Sequence, residues 1–182
     1  MEVTFSAGDV VIYKANGVFR IVEIGIPDFM REKCQLYFTL KEVYSKNPRE
    51  ALYVPTSSAA LMRPVIGREQ AEAYLNGFAL LEPDPGTTSH TAGVAARYQA
   101  IIDTCDLLET LKLLKALYLK ARSIGKSQKL LEVDIQYRGI LEKVICDEFA
   151  YVLGVTPKEV KDKLLIAIHR KKQRREKEGQ FV

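Results

Sequence analysis

Over the first third of the chain apolar residues fall at every second position, and beyond residue 93 they fall at every third or fourth. Within residues 1–66 the punctuation is that of short strands. Residues 9–14 are followed by Asn16-Gly17 and then by the β-rich run 18–26. An Asn-Gly pair between two such runs predicts a tight hairpin, because its turn needs positive φ at both central residues. Residues 34–43 alternate, with Leu36, Phe38 and Leu40 on one side and Gln35, Tyr37, Thr39 and Lys41 on the other. Residues 52–55 predict a further strand, on which Leu52 and Val54 share a face. Short strands at this spacing predict a small, strongly bent antiparallel sheet or barrel. Residues 67–75 have helical composition.

Residues 82–93 contain no large apolar side chain but two prolines and two glycines, which predicts a linker. Past it the helical period sets in. Val94, Tyr98, Ile101, Ile102 and Cys105 form one stripe; Leu107, Leu111, Leu114, Tyr118 and Ala121 form a second, ended by Ser123-Ile124-Gly125. Residues 130–152 predict a third, long helix with Leu141, Val144, Ile145 and Phe149 inward, and Gly154 stops it. Thr156-Pro157-Lys158-Glu159 then starts a fourth. Thr156 can cap free N–H groups, Pro157 has no N–H to orphan, and Glu159 can reach back to the cap. Val160, Leu164, Leu165 and Ile168 supply its inner face. Four amphipathic helices joined by short turns predict a bundle. The class is therefore α+β, divided as residues 1–80, a linker 81–93, a helical domain 94–175 and a tail 176–182.

Composition bounds the function more than it defines it. The mean hydropathy of -0.08, the lack of a long apolar run and the lack of a secretory leader pattern all predict a soluble cytoplasmic protein. Cys34, Cys105 and Cys146 are scattered through apolar patterns and read as buried thiols. The net charge is +4, yet residues 158–178 hold nine Lys or Arg against four Asp or Glu. This excess ends in the run 169–175, which can attract phosphate by counterion release or simply solvate a helix end. The two histidines, His90 and His169, have no metal-ligand spacing around them, and no CxxC, GxSxG, P-loop or GxGxxG occurs. Glu142, Asp147 and Glu148 read as a solvated helix face. No catalysis, metal or cofactor is expected.

The N-terminal residues carry a resemblance: Phe5, Gly8-Asp9-Val10-Val11-Ile12-Tyr13, Gly17-Val18, the stretch from Tyr37 to Lys41, Val54-Pro55 and Leu61-Met62-Arg63-Pro64-Val65-Ile66, followed by Glu69 and Leu75. These positions resemble the CarD-like transcription regulators of bacteria, whose N-terminal domain also occurs in transcription-repair coupling factor. Arg97-Tyr98 and Asp147-Glu148-Phe149-Ala150 resemble that family's C-terminal domain, mainly in layout. The resemblance implies a Tudor-like barrel that docks on the RNA polymerase β subunit. It also implies a helical domain that contacts promoter DNA, weakly and without sequence preference, and so modulates open-complex stability. The family's Trp before the Arg-Tyr pair is absent; Val94 aligns with it, and Ala96 and Gln99 replace flanking basic residues. Pro27 and Tyr53 stand near positions where the family often has arginines.

The resemblance makes Arg20, Lys41 and Tyr53 the candidates for polymerase contact. Val94, Arg97, Tyr98, Arg122, Lys126, Lys129 and Arg138 are the candidates for DNA contact. Two other readings stay open: a polymerase-interaction module without DNA contact, and a nucleic-acid-binding protein with no polymerase partner.

Overall fold

The computed structural model describes residues 5–33, 35–45, 47, 49–88, 93–123 and 131–178, and their side chains except at 31–33, 87–88 and 170–178. The contacts within the chain define two units, Met1–Val65 and Ile66–Val182. Together they make an α+β protein, with the strands in the first unit and the helices in the second.

The first unit is a five-stranded antiparallel sheet. Its strands are β1 (Val10–Tyr13), β2 (Val18–Gly25), β3 (Tyr37–Glu42), β4 (Leu52–Pro55) and β5 (Met62–Pro64), in the order β4-β3-β2-β1-β5. Among the described residues no ladder joins β4 to β5, which are linked through a 3-10 turn at Thr56–Leu61. Phe5, Val11, Phe19, Ile21, Phe38, Leu40, Val54 and Met62 form the core on one side of the sheet. Phe38, Leu40 and Val54 thus face the core as alternation predicts, whereas Leu36 lies ahead of β3 and is exposed.

The β1–β2 hairpin falls where Asn16-Gly17 predicts it, but with a different turn. Asn16 N–H donates to Tyr13 C=O at 3.0 Å, which places Lys14 and Ala15 at the turn's centre. Lys14 takes φ 47° and Gly17 φ 120°, while Asn16 is not left-handed. The chain therefore needs four residues rather than two to reverse. Gly17 occupies a region that only glycine enters without steric cost.

A bulge in β2 does more to shape the sheet. Ile21 pairs with Leu40 and Glu23 with Thr39, so Val22 is an extra residue with no partner on β3. The insertion switches the facing of β2, so that Ile21 and Ile24 both pair with core-side residues, Leu40 and Phe38.

The second unit contains α1 (Arg68–Gly77), α2 (Val94–Asp103), α3 (Leu107–Ser123), α4 (Glu132–Leu153) and α5 (Pro157–Glu178). The predicted stripes are buried at Val94, Tyr98 and Ile102 of α2 and at Leu141, Val144, Ile145 and Phe149 of α4. Burial on α3 extends well beyond its stripe, to Leu113, Lys115, Ala116 and Leu117, because α2, α4 and a turn at Pro85–Thr88 surround it. Cys105 departs from its expected place: it follows α2 with φ 56° and is only half-buried. Cys146 is buried, and its thiol is pushed up to about 12 by burial and then by the nearby Glu142 and Asp147 carboxylates. Cys34 and His90 lie outside the described residues.

The helical unit begins at Ile66 rather than after the expected linker at 81–93. Lys115, 2% exposed, explains this. Its ammonium group donates to the carbonyls of Phe78, Ala79 and Leu81 at 3.0, 2.8 and 2.5 Å. The chain leaving α1 is therefore tied to α3. Ile66 N–H donates to Glu148 Oε1 at 3.2 Å, and Arg68 donates to the Leu153 carbonyl at 3.1 Å. Glu148 and Asp147 are buried, which corrects the expectation of a solvated face. Asp147 pairs with Lys143 at 3.1 Å, and Glu148 accepts the Ile66 N–H.

The helix-start signal at Thr156 is realised atom by atom. Thr156 N–H donates to Glu159 Oε2 at 2.7 Å and Glu159 N–H donates to Thr156 Oγ1 at 3.2 Å. Gly154, at φ 71°, ends α4 just before it.

Two outcomes follow. Lys115→Met strands buried carbonyls and should lower the unfolding free energy by about 3 kcal/mol. Urea denaturation checks this, and a loss near zero would detach Lys115 from the stitching role. The Thr156 backbone N–H, then its hydroxyl, hold the Glu159 carboxyl below its ordinary value. A depressed carboxylate stabilises the fold above its unfolded pKa of about 4.3, and the gain is lost as pH falls through the folded value. Glu159→Ala should therefore lower the urea midpoint at pH 7, with the deficit shrinking at pH 3. An equal deficit at both pH values would contradict the charged cap.

Candidate interaction sites

Residues paired directly across an antiparallel ladder point to the same side of the sheet. Arg20 pairs with Lys41, Glu23 with Thr39, and Thr39 with Tyr53. Thr39 and Lys41 are two residues apart on β3 and share a side. Arg20, Lys41 and Tyr53 therefore lie together on the side opposite the Phe38–Leu40 core, across β2, β3 and β4. The bulge at Val22 adds Glu23 to this side, beside Thr39.

Arg20 and Lys41 are exposed like charges set side by side, an arrangement that repels weakly and favours an acidic neighbour. Arg20 Nη1 donates to the Gly8 carbonyl at 3.1 Å, which holds the guanidinium near β1. At the other end of the face, Tyr53 is 36% exposed and its ring meets Phe29 edge-on at 4.9 Å. Phe29 is itself 65% exposed. Leu52 and Ile24 are also exposed, but they pair with Leu40 and Phe38 and so belong to the opposite side of the sheet. Sequence alternation could not point to Phe29, which sits in a 3-10 segment, Asp28–Lys33, between strands.

The backbone of β4 adds a further feature. Thr56 N–H donates to the Leu36 carbonyl at 3.0 Å. By alternation Val54 and Leu52 also turn their backbone groups to β3, and Tyr53 turns its N–H and C=O away. Tyr53 thus offers one donor and one acceptor at the end of the sheet. Pro55, which has no N–H to leave unpaired, suits such an edge.

Among the described residues the candidates in the helical unit fall in two places, Val94, Arg97 and Tyr98 on α2 and Arg122 and Arg138 at a cleft. Val94 and Tyr98 are buried, so their side chains are interior rather than available to a groove. Tyr98 Oη donates to Asp134 Oδ1 at 2.9 Å, and its ring meets Tyr137 edge-on at 5.4 Å. Burial, and then Asp134, push the Tyr98 hydroxyl well above its ordinary pKa. Asp134 is 1% exposed, and Lys120 Nζ lies 2.7 Å from its other oxygen. Arg97 forks onto the buried Asp84 carboxylate at 2.7 and 2.6 Å, which raises its pKa further. Gly86 passes under that guanidinium, where a Cβ would overlap it. The segment expected to be a free linker is therefore anchored at Asp84.

Arg122 and Arg138 border a cleft between α3, α4 and α5. Arg122 Nη1 donates to the Ile168 carbonyl at 3.1 Å, and Arg138 Nε lies 3.8 Å from Glu142 Oε1. His169, whose Nδ1–H donates to the Leu165 carbonyl at 2.7 Å, borders the same cleft. Lys126 and Lys129 lie outside the described residues, as do the side chains of the basic run from Arg170 onward. Among the described residues no cluster of His, Cys, Asp or Glu could hold a metal ion, and no helix is long and apolar enough to cross a membrane.

Residues 5–66 match the family model of the CarD-like/TRCF RID domain. The match spans the sheet unit and stops where the helical unit begins. No curated protein matches the chain.

If Arg97 is a structural clamp, Arg97→Gln should cost about 1–2 kcal/mol of stability, the exposed side of the guanidinium reducing the loss. Any affinity for duplex DNA should be unchanged. Thermal unfolding together with a DNA titration checks this. Lost DNA binding at unchanged stability would return Arg97 to the surface role.

Proposed function

With residues 5–66 a CarD-like/TRCF RID domain, we propose that the chain is a bacterial transcription regulator that docks on the β subunit of RNA polymerase. The observation that carries this reading is the convergence of Arg20, Lys41 and Tyr53 on one side of the sheet, beside the exposed Phe29 and the open β4 edge. Such an edge can accept a partner strand through Tyr53, while neighbouring side chains select that partner. An exposed aromatic pair, Phe29 and Tyr53, on a face that also carries Arg20 and Lys41 fits a protein surface better than a small molecule. The bent five-stranded sheet is then the family's Tudor-like barrel, and the location is the cytoplasm.

On this reading the protein acts by differential binding, and no bond is made or broken. A factor that binds the open promoter complex better than the closed one shifts their ratio, about tenfold for each 1.4 kcal/mol. The DNA contact is weak and insensitive to sequence. What supports it is the basic run of α5, with Arg170, Lys171, Lys172, Arg174, Arg175 and Lys177 in one stretch. A second reading, a polymerase-interaction module without DNA contact, is favoured by the interior positions of Val94 and Tyr98 and the engagement of Arg97 with Asp84.

Binding of the full chain to polymerase tests the docking face. Tyr53→Ala or Lys41→Glu should weaken it about tenfold or more, as loss of a central aromatic or charged contact does. Circular dichroism should be unchanged. Native affinity in both variants would remove this face from the interface. Open-complex lifetime separates the two readings: removal of residues 170–182 should shorten a lifetime that the full chain extends. Equal lifetimes with and without the protein would leave docking alone.

A further inference from the structure

The cleft between α3, α4 and α5 has a volume of about 270 Å³ and a charge imbalance that the docking role does not use. Arg122, Arg138 and Lys161 line it against one carboxylate, Glu142. Lys161 Nζ holds Glu142 Oε2 at 2.6 Å, whereas Arg138 stands back at 3.8 Å. Among the described residues Arg122 meets only the neutral carbonyl of Ile168. Two positive charges are therefore left over in a partly enclosed site, an arrangement that favours a counter-anion.

A second observation points into the same space. Tyr118 is 4% exposed and lines the cleft, where its hydroxyl leans toward the Glu142 carboxylate in a bond of poor geometry. Glu142 lies near enough to raise its pKa, after burial itself. A buried hydroxyl whose bond is this poor gains from a better-placed acceptor in the cleft. Leu165 and Ile168 supply an apolar wall opposite these polar groups.

We propose that this cleft binds a small phosphate monoester, with the phosphoryl group between Arg122 and Arg138 and the organic portion against Leu165 and Ile168. A monoester carries about -1.5 to -2 charge at pH 7, which matches the surplus. A carboxylate neutralises half of it. Guanidinium forks match phosphate oxygens in pairs, and Tyr118 donates to a third. The cleft is larger than one phosphate group fills, which leaves room for an organic portion. This site is independent of the polymerase reading, because no residue of the sheet unit takes part.

Calorimetric titration of the full chain with phenyl phosphate, inorganic phosphate, benzoate and a short DNA duplex tests the assignment. Phenyl phosphate should bind saturably and more tightly than inorganic phosphate or benzoate. Arg138→Gln and Arg122→Gln should each weaken it at least tenfold. Tyr118→Phe, which keeps the ring and the packing, should weaken it roughly tenfold, as loss of a hydrogen bond to a charged group does. Failure of phenyl phosphate to bind overturns the proposal, as does binding that survives both Arg138→Gln and Tyr118→Phe. Benzoate binding as tightly as phenyl phosphate rejects the dianion. Duplex binding that the same variants abolish, with no binding of phenyl phosphate, shows that the cleft serves backbone phosphate instead.

Discussion

The ammonium group of Lys115 sits among the helices of the second unit and donates to three backbone carbonyls between Phe78 and Leu81. A lysine taken out of water is tolerated only where its donors are met, and carbonyls at the end of a helix are short of donors. Each side of this arrangement solves the other's problem. Its consequence is architectural: α1 and the chain after it are held against α3. A segment that might have trailed from the sheet becomes part of the helical unit. The Arg97–Asp84 fork and the Asp84 N–H bond to the Lys112 carbonyl continue the same tie a few residues later.

A unit organised around buried polar groups uses its charged residues differently from a bundle closed only by leucines. Tyr98, Asp134 and Lys120 form a connected interior group, and Glu148 receives the N–H of Ile66. Half-satisfied polar groups in such interiors are expensive, so these partners specify positions as well as stabilise them. Arg97 and Tyr98 are for this reason occupied by the fold. Arg122, Arg138 and Lys161 are not neutralised in the same way. They converge with the Tyr118 hydroxyl on the cleft, and the difference is one of charge count rather than of residue type.

In the sheet unit the comparable device is the extra residue Val22. Without it the strand would keep one phase, and Glu23 and Ile24 would exchange sides. With it, the polar residues Arg20, Glu23, Thr39 and Lys41 occupy one side along with Tyr53, while Ile21 and Ile24 stay with the core side. The short strand β4 then ends the sheet with the backbone groups of Tyr53 turned outward. An edge of this kind is a hazard unless it is covered, which fits a surface meant to meet a partner.

Local rules made much of this legible in the residues alone. The change of apolar period near residue 93 separates strands from helices. Gly154 and the Thr156–Glu159 box mark the α4–α5 junction to the residue, and Val94, Tyr98 and Ile102 share an inner face. Each of these depends on atoms a few positions apart, within reach of backbone geometry. The hairpin turn lies where Asn16-Gly17 predicts it but is of another type, since Lys14 rather than Asn16 takes the left-handed position. Arg20, Lys41 and Tyr53 came from resemblance, and only the ladder register shows that they share a side. The tertiary structure alone decided which charges are interior. Glu148 meets Ile66 from 82 residues away and Lys115 meets Phe78 from 37 away. A charged residue in sequence reads as exposed until a partner that distant supplies the hydrogen bonds that water would otherwise provide.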